Sequence, residues 1–277
     1  MTYHELKKSV ESKLDRISDE KTGEAMLILE YASHFSYTEI VSKYHDECPE
    51  EIIKTAEEIT EKRLERIPLQ YLIGKVEFFG VEFETNENVL IPRPDTEIIC
   101  EKALEILKEN DHIADICCGT GCIGLSLMKH VNVYADFFDI SPDCIKTTLK
   151  NATNLGLMER INIYKRDVFD DSFFFGCEKY DLIISNPPYI ERNVIETLSE
   201  EVKHEPVLAL DGGEDGLDFY RRFLDILPGM LNENGKILFE IGYNQGKSIN
   251  EICNEHGYKC SVFKDYSGND RCALIEI

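Results

Sequence analysis

DICCGTGCIG, residues 115 to 124, follows the apolar run Ile113 to Ile116 and leads into a helix-like segment from about Cys122 to His130. Gly119, Gly121 and Gly124 fit the spacing G-x-G-x-x-G. Between a strand and a helix, that spacing allows the backbone to approach a ligand closely. A tight turn without a ligand is the bland alternative.

Outward from this loop, strand and helix alternate to the end of the chain. Val131 to Asp139 reads as a strand. Ser141-Pro142-Asp143 then opens a helix to about Asn154, with Ser as N-cap and Pro at the first helical position. Ile161 to Tyr164 and Tyr180 to Ser185 are further strands. A helix near Asp218 to Met230 precedes the strand Lys236 to Ile241. Another, near Gln245 to His256, stops at Gly257. Cys260 to Lys264 and Cys272 to Ile277 close the chain as strands without a helix between them, so one of these is expected to be antiparallel. Such alternation predicts an α/β fold, a mostly parallel sheet with helices on both faces.

The amino-terminal part differs. Apolar residues recur at helical spacing, as in Ile52, Ile53, Ala56 and Ile59. Residues 1–70 therefore read as a small all-helical domain, its last helix closed by Pro68. Residues 71–92 read as a β-hairpin connector, with strands at 78–84 and 89–91 and a turn at Asn86-Glu87-Asn88. Residues 93–277 form the α/β domain.

A chain of 277 residues, 43% hydrophobic and 30% charged, is a folded protein rather than a disordered one. No run approaches the roughly 18 apolar residues of a membrane span. The charged, helix-like start lacks the apolar core of a signal peptide, which points to the cytoplasm. The ten cysteines form no CxxC pair and show no zinc-ligand spacing, so they read as reduced, small apolar residues and no metal is expected. The net charge of −23, with no segregated basic patch, argues against direct nucleic-acid binding and suits a basic protein partner or simple solubility.

The acids around the loop bear on the ligand. Asp115, at the strand end, would repel a pyrophosphate and attract a cationic head, which favours S-adenosylmethionine over a dinucleotide. Asp139 ends the second strand, where an acid commonly binds ribose hydroxyls; helix capping beside Ser141 is the alternative. Asp167 and Phe169 follow the third strand and suit an adenine amino group and ring, although Phe169 is also a plausible core residue.

SNPPYI, residues 185 to 190, ends a core strand with an amide, two imides and a phenol. The fourth strand of a doubly wound sheet lies beside the first, so this tip faces the same crevice as the glycine loop. Asn186 offers a side-chain carbonyl. Pro187 offers a backbone carbonyl, no N–H and a stiff turn. Tyr189 offers a ring face or edge. Two fixed acceptors match an NH2 group, whose lone pair is thereby aimed at a methyl donor. A plain Pro-Pro strand exit is the alternative.

These residues resemble the glutamine N5-methyltransferases that modify the Gly-Gly-Gln loop of peptide chain release factors, the HemK/PrmC family. The resemblance covers nearly all of residues 60 to 277. It is carried by Arg66-Ile-Pro-Leu-Gln-Tyr-Leu-Ile-Gly74, Phe78-Phe79-Gly80, Leu90-Ile-Pro-Arg-Pro-Asp-Thr-Glu97, the glycine loop and Asn186-Pro-Pro-Tyr-Ile190. Glu205-Pro206, Gly212-Gly213, Asp215-Gly216-Leu217, Glu240-Ile-Gly-Tyr243, Gln245-Gly246 and Gly268-Asn-Asp-Arg271 add to it.

The resemblance implies a Rossmann-like class I methyltransferase sheet with an added antiparallel strand. It implies that S-adenosylmethionine is the cofactor, with Cys117, Cys118, Gly119, Thr120 and Gly121 around its amino acid end. Asp115 and Asn186 are likewise expected to bind the cofactor. Asp139 would hold the ribose, and Asp167 and Phe169 would lie near adenine. Asn186, Pro187, Pro188 and Tyr189 would hold the substrate glutamine, with release factors as the protein substrate.

Arg93 either reaches the substrate or pairs with an acid, and Glu205 to Leu217 is expected to build a wall near the site. The family often has glycine where this chain has Cys117; cysteine is small, so binding is expected to survive. Asp95, where Glu is common, is a minor departure. Enzymes methylating exocyclic amines of nucleic acid share the NPPY signature, and a sister family methylates a ribosomal protein; charge argues against the first and Pro68 to Gly74 against the second. An NAD-dependent oxidoreductase lacks a convincingly placed proton donor here, and a non-catalytic binding module is the remaining class.

Overall fold

The amphipathic repeats of the first part fold into five helices, α1 (Tyr3–Leu14), α2 (Lys21–Ser33), α3 (Tyr37–Ser42), α4 (Glu50–Leu64) and α5 (Leu69–Ile73). The computed structural model describes all residues 1–277. In it these helices belong to one unit, Met1–Gly74 together with Ser199–His204. Thr2 and Glu5 form a capping box at the start of α1. Leu6, Leu14, Ile28, Leu29, Ile40 and Ala56 fill the core. Arg63, almost fully buried, pairs with Glu24 at 2.9 Å and Glu201 at 3.4 Å, and Arg66 reaches Glu201 at 2.9 Å. Pro68 does not close a helix as expected. Helix α4 has already ended at Leu64, and Pro68 stands just before α5, a position where its missing N–H costs nothing.

The second unit comprises Lys75–Leu198 and Glu205–Ile277. It begins with a hairpin, β1 (Lys75–Phe78) and β2 (Val81–Glu84). The expected strands at 78–84 and 89–91 are thus corrected. The turn is Phe79-Gly80, both with positive φ (+50° and +72°), as a two-residue hairpin of this twist requires. Val89-Leu90-Ile91 pairs with no strand; the Ile91 N–H is taken by the Glu205 carboxylate at 3.3 Å. The hairpin is also part of the second unit's core, because Phe78 and Phe83 are buried there.

The remaining elements are α6 (Glu97–Leu104), β3 (His112–Ile116), α7 (Cys122–His130), β4 (Tyr134–Asp139), α8 (Pro142–Leu155), β5 (Ile161–Lys165), β6 (Tyr180–Ser185), α9 (Asp218–Ile226), β7 (Leu231–Glu240), α10 (Gly246–Glu255), β8 (Lys259–Lys264) and β9 (Asp270–Glu276). The seven strands lie in the order β5-β4-β3-β6-β7-β9-β8. Only β9 runs against its neighbours.

Alternation along each strand divides the core between the two faces. Phe137 packs with Ile99, Leu125 and Leu127 of α6 and α7. Its neighbour Phe138 packs on the other face with Tyr220, Phe223 and Ile249 of α9 and α10. The strand order reverses between β3 and β6, which opens a crevice at their carboxyl ends.

Candidate active site

Across β3 and β6, Ile116 lies opposite Ser185. The next residue on each side is Cys117, which starts the glycine loop, and Asn186, which starts the tip of β6. The register therefore brings the two stretches to one level, and the Ser185 hydroxyl ties them by donating to the Ile116 carbonyl at 2.6 Å. A cavity of about 340 Å³ opens there, within the usual range for small-molecule sites.

Cys117, Cys118, Gly119, Thr120, Asp139, Asp167, Phe169, Asn186, Pro188 and Arg93 all line this cavity. The loop is held from below by α8. Thr148 donates to the Gly119 carbonyl at 3.0 Å and Asn151 to the Thr120 carbonyl at 2.9 Å. Asp139 accepts from the Gly119 N–H at 3.0 Å and the Ser141 N–H at 2.9 Å. Burial raises its pKa, and those backbone donors oppose the rise. The Ser141 hydroxyl caps α8, as its sequence position predicts.

The three glycines have different reasons to be glycine. Gly119 and Gly121 both hold positive φ, +57° and +77°, and a side chain at Gly119 would meet nothing within 4 Å. One at Gly121 would meet Thr148 at 2.9 Å, and one at Gly124 would meet the Phe137 ring at 2.5 Å. Gly121 and Gly124 are thus packing requirements, and Gly121 does not line the cavity. Cys117 adopts φ +59°, the left-handed region that glycine enters most easily.

Asp115 stands apart from the other predicted site residues. It lies beneath the loop, 1% exposed, and is absent from the cavity wall. One carboxylate oxygen accepts from the Gly124 N–H at 3.0 Å, and the other has no partner. Burial pushes its pKa up to about 8, and the Gly124 N–H opposes the rise. The acid at the cavity is Asp139. Four thiols, Cys117, Cys118, Cys122 and Cys144, also line the wall; burial raises all of them, Cys122 and Cys144 to about 12, so they are neutral there.

The tip of β6 is pinned from behind. Ile190 donates to the Leu210 carbonyl at 3.0 Å and accepts from the Gly212 N–H at 2.9 Å. A side chain at Gly212 would meet the Tyr189 Cα at 2.7 Å, and one at Gly216 would meet the Tyr189 carbonyl oxygen at 2.4 Å. Gln245 donates to the Tyr189 and Gly216 carbonyls at 3.0 and 3.1 Å. Pro187 and Tyr189 do not line the cavity, contrary to the expectation of a substrate-facing ring. The Tyr189 hydroxyl is turned away, donating to Glu240 at 3.1 Å.

Around the rim, Asp167 accepts from the Phe169 N–H at 2.9 Å. Phe169 is half exposed and meets Phe219 edge-on at 5.0 Å, so it is not core. Arg93 pairs with Glu205, the second of its two expected roles. Pro206, Leu208 and Ala209 form the expected wall. Sequence reasoning gave no role to Thr96, buried on the cavity wall and accepting from Asn186 Nδ2 at 3.4 Å, nor to Glu240. Both stand within quoted motifs, which was the only signal for them.

S-adenosylmethionine fits this donor set. Gly119, the Asp139 carboxylate and the half-exposed ring of Phe169 stand on one cavity wall, and none of them repels a cationic nucleoside.

The Methyltransferase small domain family matches residues 96–213, and the PrmC N-terminal domain family matches residues 5–74. The release factor glutamine methyltransferase of Aquifex aeolicus is 35% identical over 98% of this chain and 96% of its own. That of Clostridium acetobutylicum is 36% identical over 91% of this chain and 90% of its own. A methyltransferase of Pyrococcus furiosus, 20% identical, shares the fold with a TM-score of 0.55 over 78% of this chain and 98% of that one. With this likeness running through both the helical and the sheet-bearing parts, the chain belongs to the release factor glutamine methyltransferase family.

Proposed function

We propose that this protein transfers a methyl group from S-adenosylmethionine to the side-chain amide nitrogen of the glutamine in the Gly-Gly-Gln loop of peptide chain release factors, in the cytoplasm and without binding nucleic acid directly. The observation that carries the reading is the register of β3 and β6. It sets Asn186 beside the glycine loop, so that an acceptor for an amide and a cradle for a methyl donor share one cavity. The net charge of −23 supports a protein substrate over a phosphate backbone.

When bound, S-adenosylmethionine supplies an electrophilic methyl group on a cationic sulfur. The residues proposed to hold it are Cys117, Cys118, Gly119 and Thr120 at one end, Asp139 at the ribose, and Asp167 with Phe169 at the base. Asn186 Oδ1 accepts one amide hydrogen of the glutamine, and the Pro187 carbonyl, next on the same tip though outside the cavity lining, is proposed as acceptor of the second. That geometry draws the nitrogen lone pair out of conjugation and aims it, which is the main barrier for a planar amide. Asn186 would thus hold the nitrogen toward the methyl group that the bound cofactor would supply, the methyl–sulfur electron pair remaining on sulfur. The surplus proton then leaves the nitrogen for solvent. Tyr189 and Pro188 act through the rigidity of the tip, which is supported by its pins from Gln245 and residues 210–216. Arg93 supports the wall through Glu205.

The test is mass spectrometry of an intact release factor after incubation with enzyme and S-adenosylmethionine. One added methyl group on the Gly-Gly-Gln glutamine is expected. Label appearing only in a ribosomal protein or in nucleic acid would overturn the reading.

A further inference from the structure

A groove of about 400 Å³ adjoins the cavity and shares Phe169, Leu208 and Phe219 with it. Val207, Arg192, Asp211, Gly213 and Asp218 line the groove and not the cavity. Its apolar side chains face water rather than the core: Val207 is 57% exposed, Leu208 56% and Phe169 49%. Large apolar side chains gathered at the surface beside a ligand cavity mark a contact surface.

The polar edge of the groove is fixed by the fold. Asp211 accepts from Arg192 Nε at 2.9 Å and from the Gly213 N–H at 2.9 Å. The Arg192 N–H donates to the Gly213 carbonyl at 2.9 Å. A side chain at Gly213 would meet the Asp218 carboxylate at 1.9 Å, so this edge is closely packed. It is also acidic. Asp211, Glu214, Asp215 and Asp218 lie within one short stretch, and only two cations offset them, Arg192 at Asp211 and Arg221 at Asp215 and Asp218. An apolar floor with an acidic edge suits a segment that carries an apolar and a basic side chain.

A glutamine that reaches Asn186 must cross the lip of the cavity, and the chain that carries it must lie against that lip. In a Gly-Gly-Gln loop the two residues before the glutamine have no side chain with which to fill a groove. The nearest side chains sit on the residues that follow it, and three residues of extended chain span about 10 Å. We propose that the groove is a substrate subsite: it seats an apolar side chain from the segment just after the acceptor glutamine on Val207, Leu208 and Phe169, and its acidic edge receives a basic side chain of the same segment. The proposal rests on the glutamine-methylation reading above and adds to it what the enzyme recognises beside the glutamine.

Val207 separates substrate from cofactor, because it lines the groove alone. Val207→Ser is expected to raise KM for an intact release factor about tenfold, the loss of one apolar contact buried on binding. Its kcat, its S-adenosylmethionine affinity by calorimetry and its melting temperature should stay near wild type. Glu214→Gln is expected to raise the same KM about twofold at low salt, a difference that closes at high salt. A benzoylphenylalanine in place of Val207 should cross-link, under light, to the residues just after the glutamine. An unchanged KM in folded Val207→Ser enzyme, or a cross-link elsewhere on the release factor, would overturn the proposal. Weaker cofactor binding with an unchanged release factor KM would also overturn it, by giving the groove to the cofactor. If the wild-type enzyme methylates no release factor, the substrate reading fails and takes this occupant with it. If the wild type methylates and Val207→Ser is indifferent, the subsite alone fails.

Discussion

Gln245, at the start of α10, donates its side-chain amide to the carbonyl of Tyr189 at 3.0 Å, bridging 56 residues of sequence to hold the back of the β6 tip. The same nitrogen reaches the Gly216 carbonyl, and its oxygen accepts from the Gly242 N–H at 2.8 Å. Gln245→Ala leaves three backbone groups without this partner, at about 1–3 kcal/mol for each buried one that stays unsatisfied. We expect a lower urea midpoint together with a lower kcat. An unaltered midpoint would show that the pin is dispensable.

Asn186→Ala removes an acceptor that acts on the reacting nitrogen. Loss of such a contact costs roughly 100- to 1,000-fold in kcat. Single-turnover methyl transfer to a release factor measures it, and a variant retaining more than a tenth of wild-type rate would remove Asn186 from the chemistry.

Asp115 predicts a pH dependence of stability. Its carboxyl is raised from 3.8 to about 8, chiefly by burial. Between those values the folded protein keeps a proton that the unfolded chain has lost, so this group's contribution to stability falls as pH rises through the window. Asp115→Asn removes the titration. Urea midpoints measured without cofactor should slope less between pH 5 and pH 8 in the variant, and be higher than wild type at pH 8. Parallel slopes in the two proteins would refute the raised carboxyl.

Cys117 sits at φ +59°, where side chains beyond Cβ are strained. Cys117→Gly relieves that strain but loses a partly buried thiol and loosens the unfolded chain, so the net change should be under about 1 kcal/mol. S-adenosylmethionine affinity should be nearly unchanged. Cys117→Val, branched at Cβ, should cost more than about 2 kcal/mol and weaken cofactor binding. Calorimetric titration of both variants separates these outcomes; equal behaviour of the two would mean the backbone is free to adjust.

Much of the fold was readable because its signals are local. The apolar run of β6, the glycine loop into α7 and the Ser141 cap of α8 each depend on a few neighbouring residues, and they appear where the chain spells them. Pro68 and Val89-Leu90-Ile91 were misread because the same residue types suit either side of a helix boundary, and suit either a strand or a segment held by a distant carboxylate such as Glu205.

The chemistry types at the site were likewise written in order along the chain: a loop with room for a ligand at Gly119, an acid at Asp139, an amide at Asn186. Their arrangement was decided elsewhere. Whether Asp115 faced the ligand or the interior depended on how α7 closed over it, and whether Tyr189 faced the substrate or Glu240 depended on a strand ending 51 residues later. Local sequence sets backbone preference and residue chemistry. The direction in which a polar side chain points is set by the partners that remain once water is excluded, and only the packed sheet brings those partners within reach.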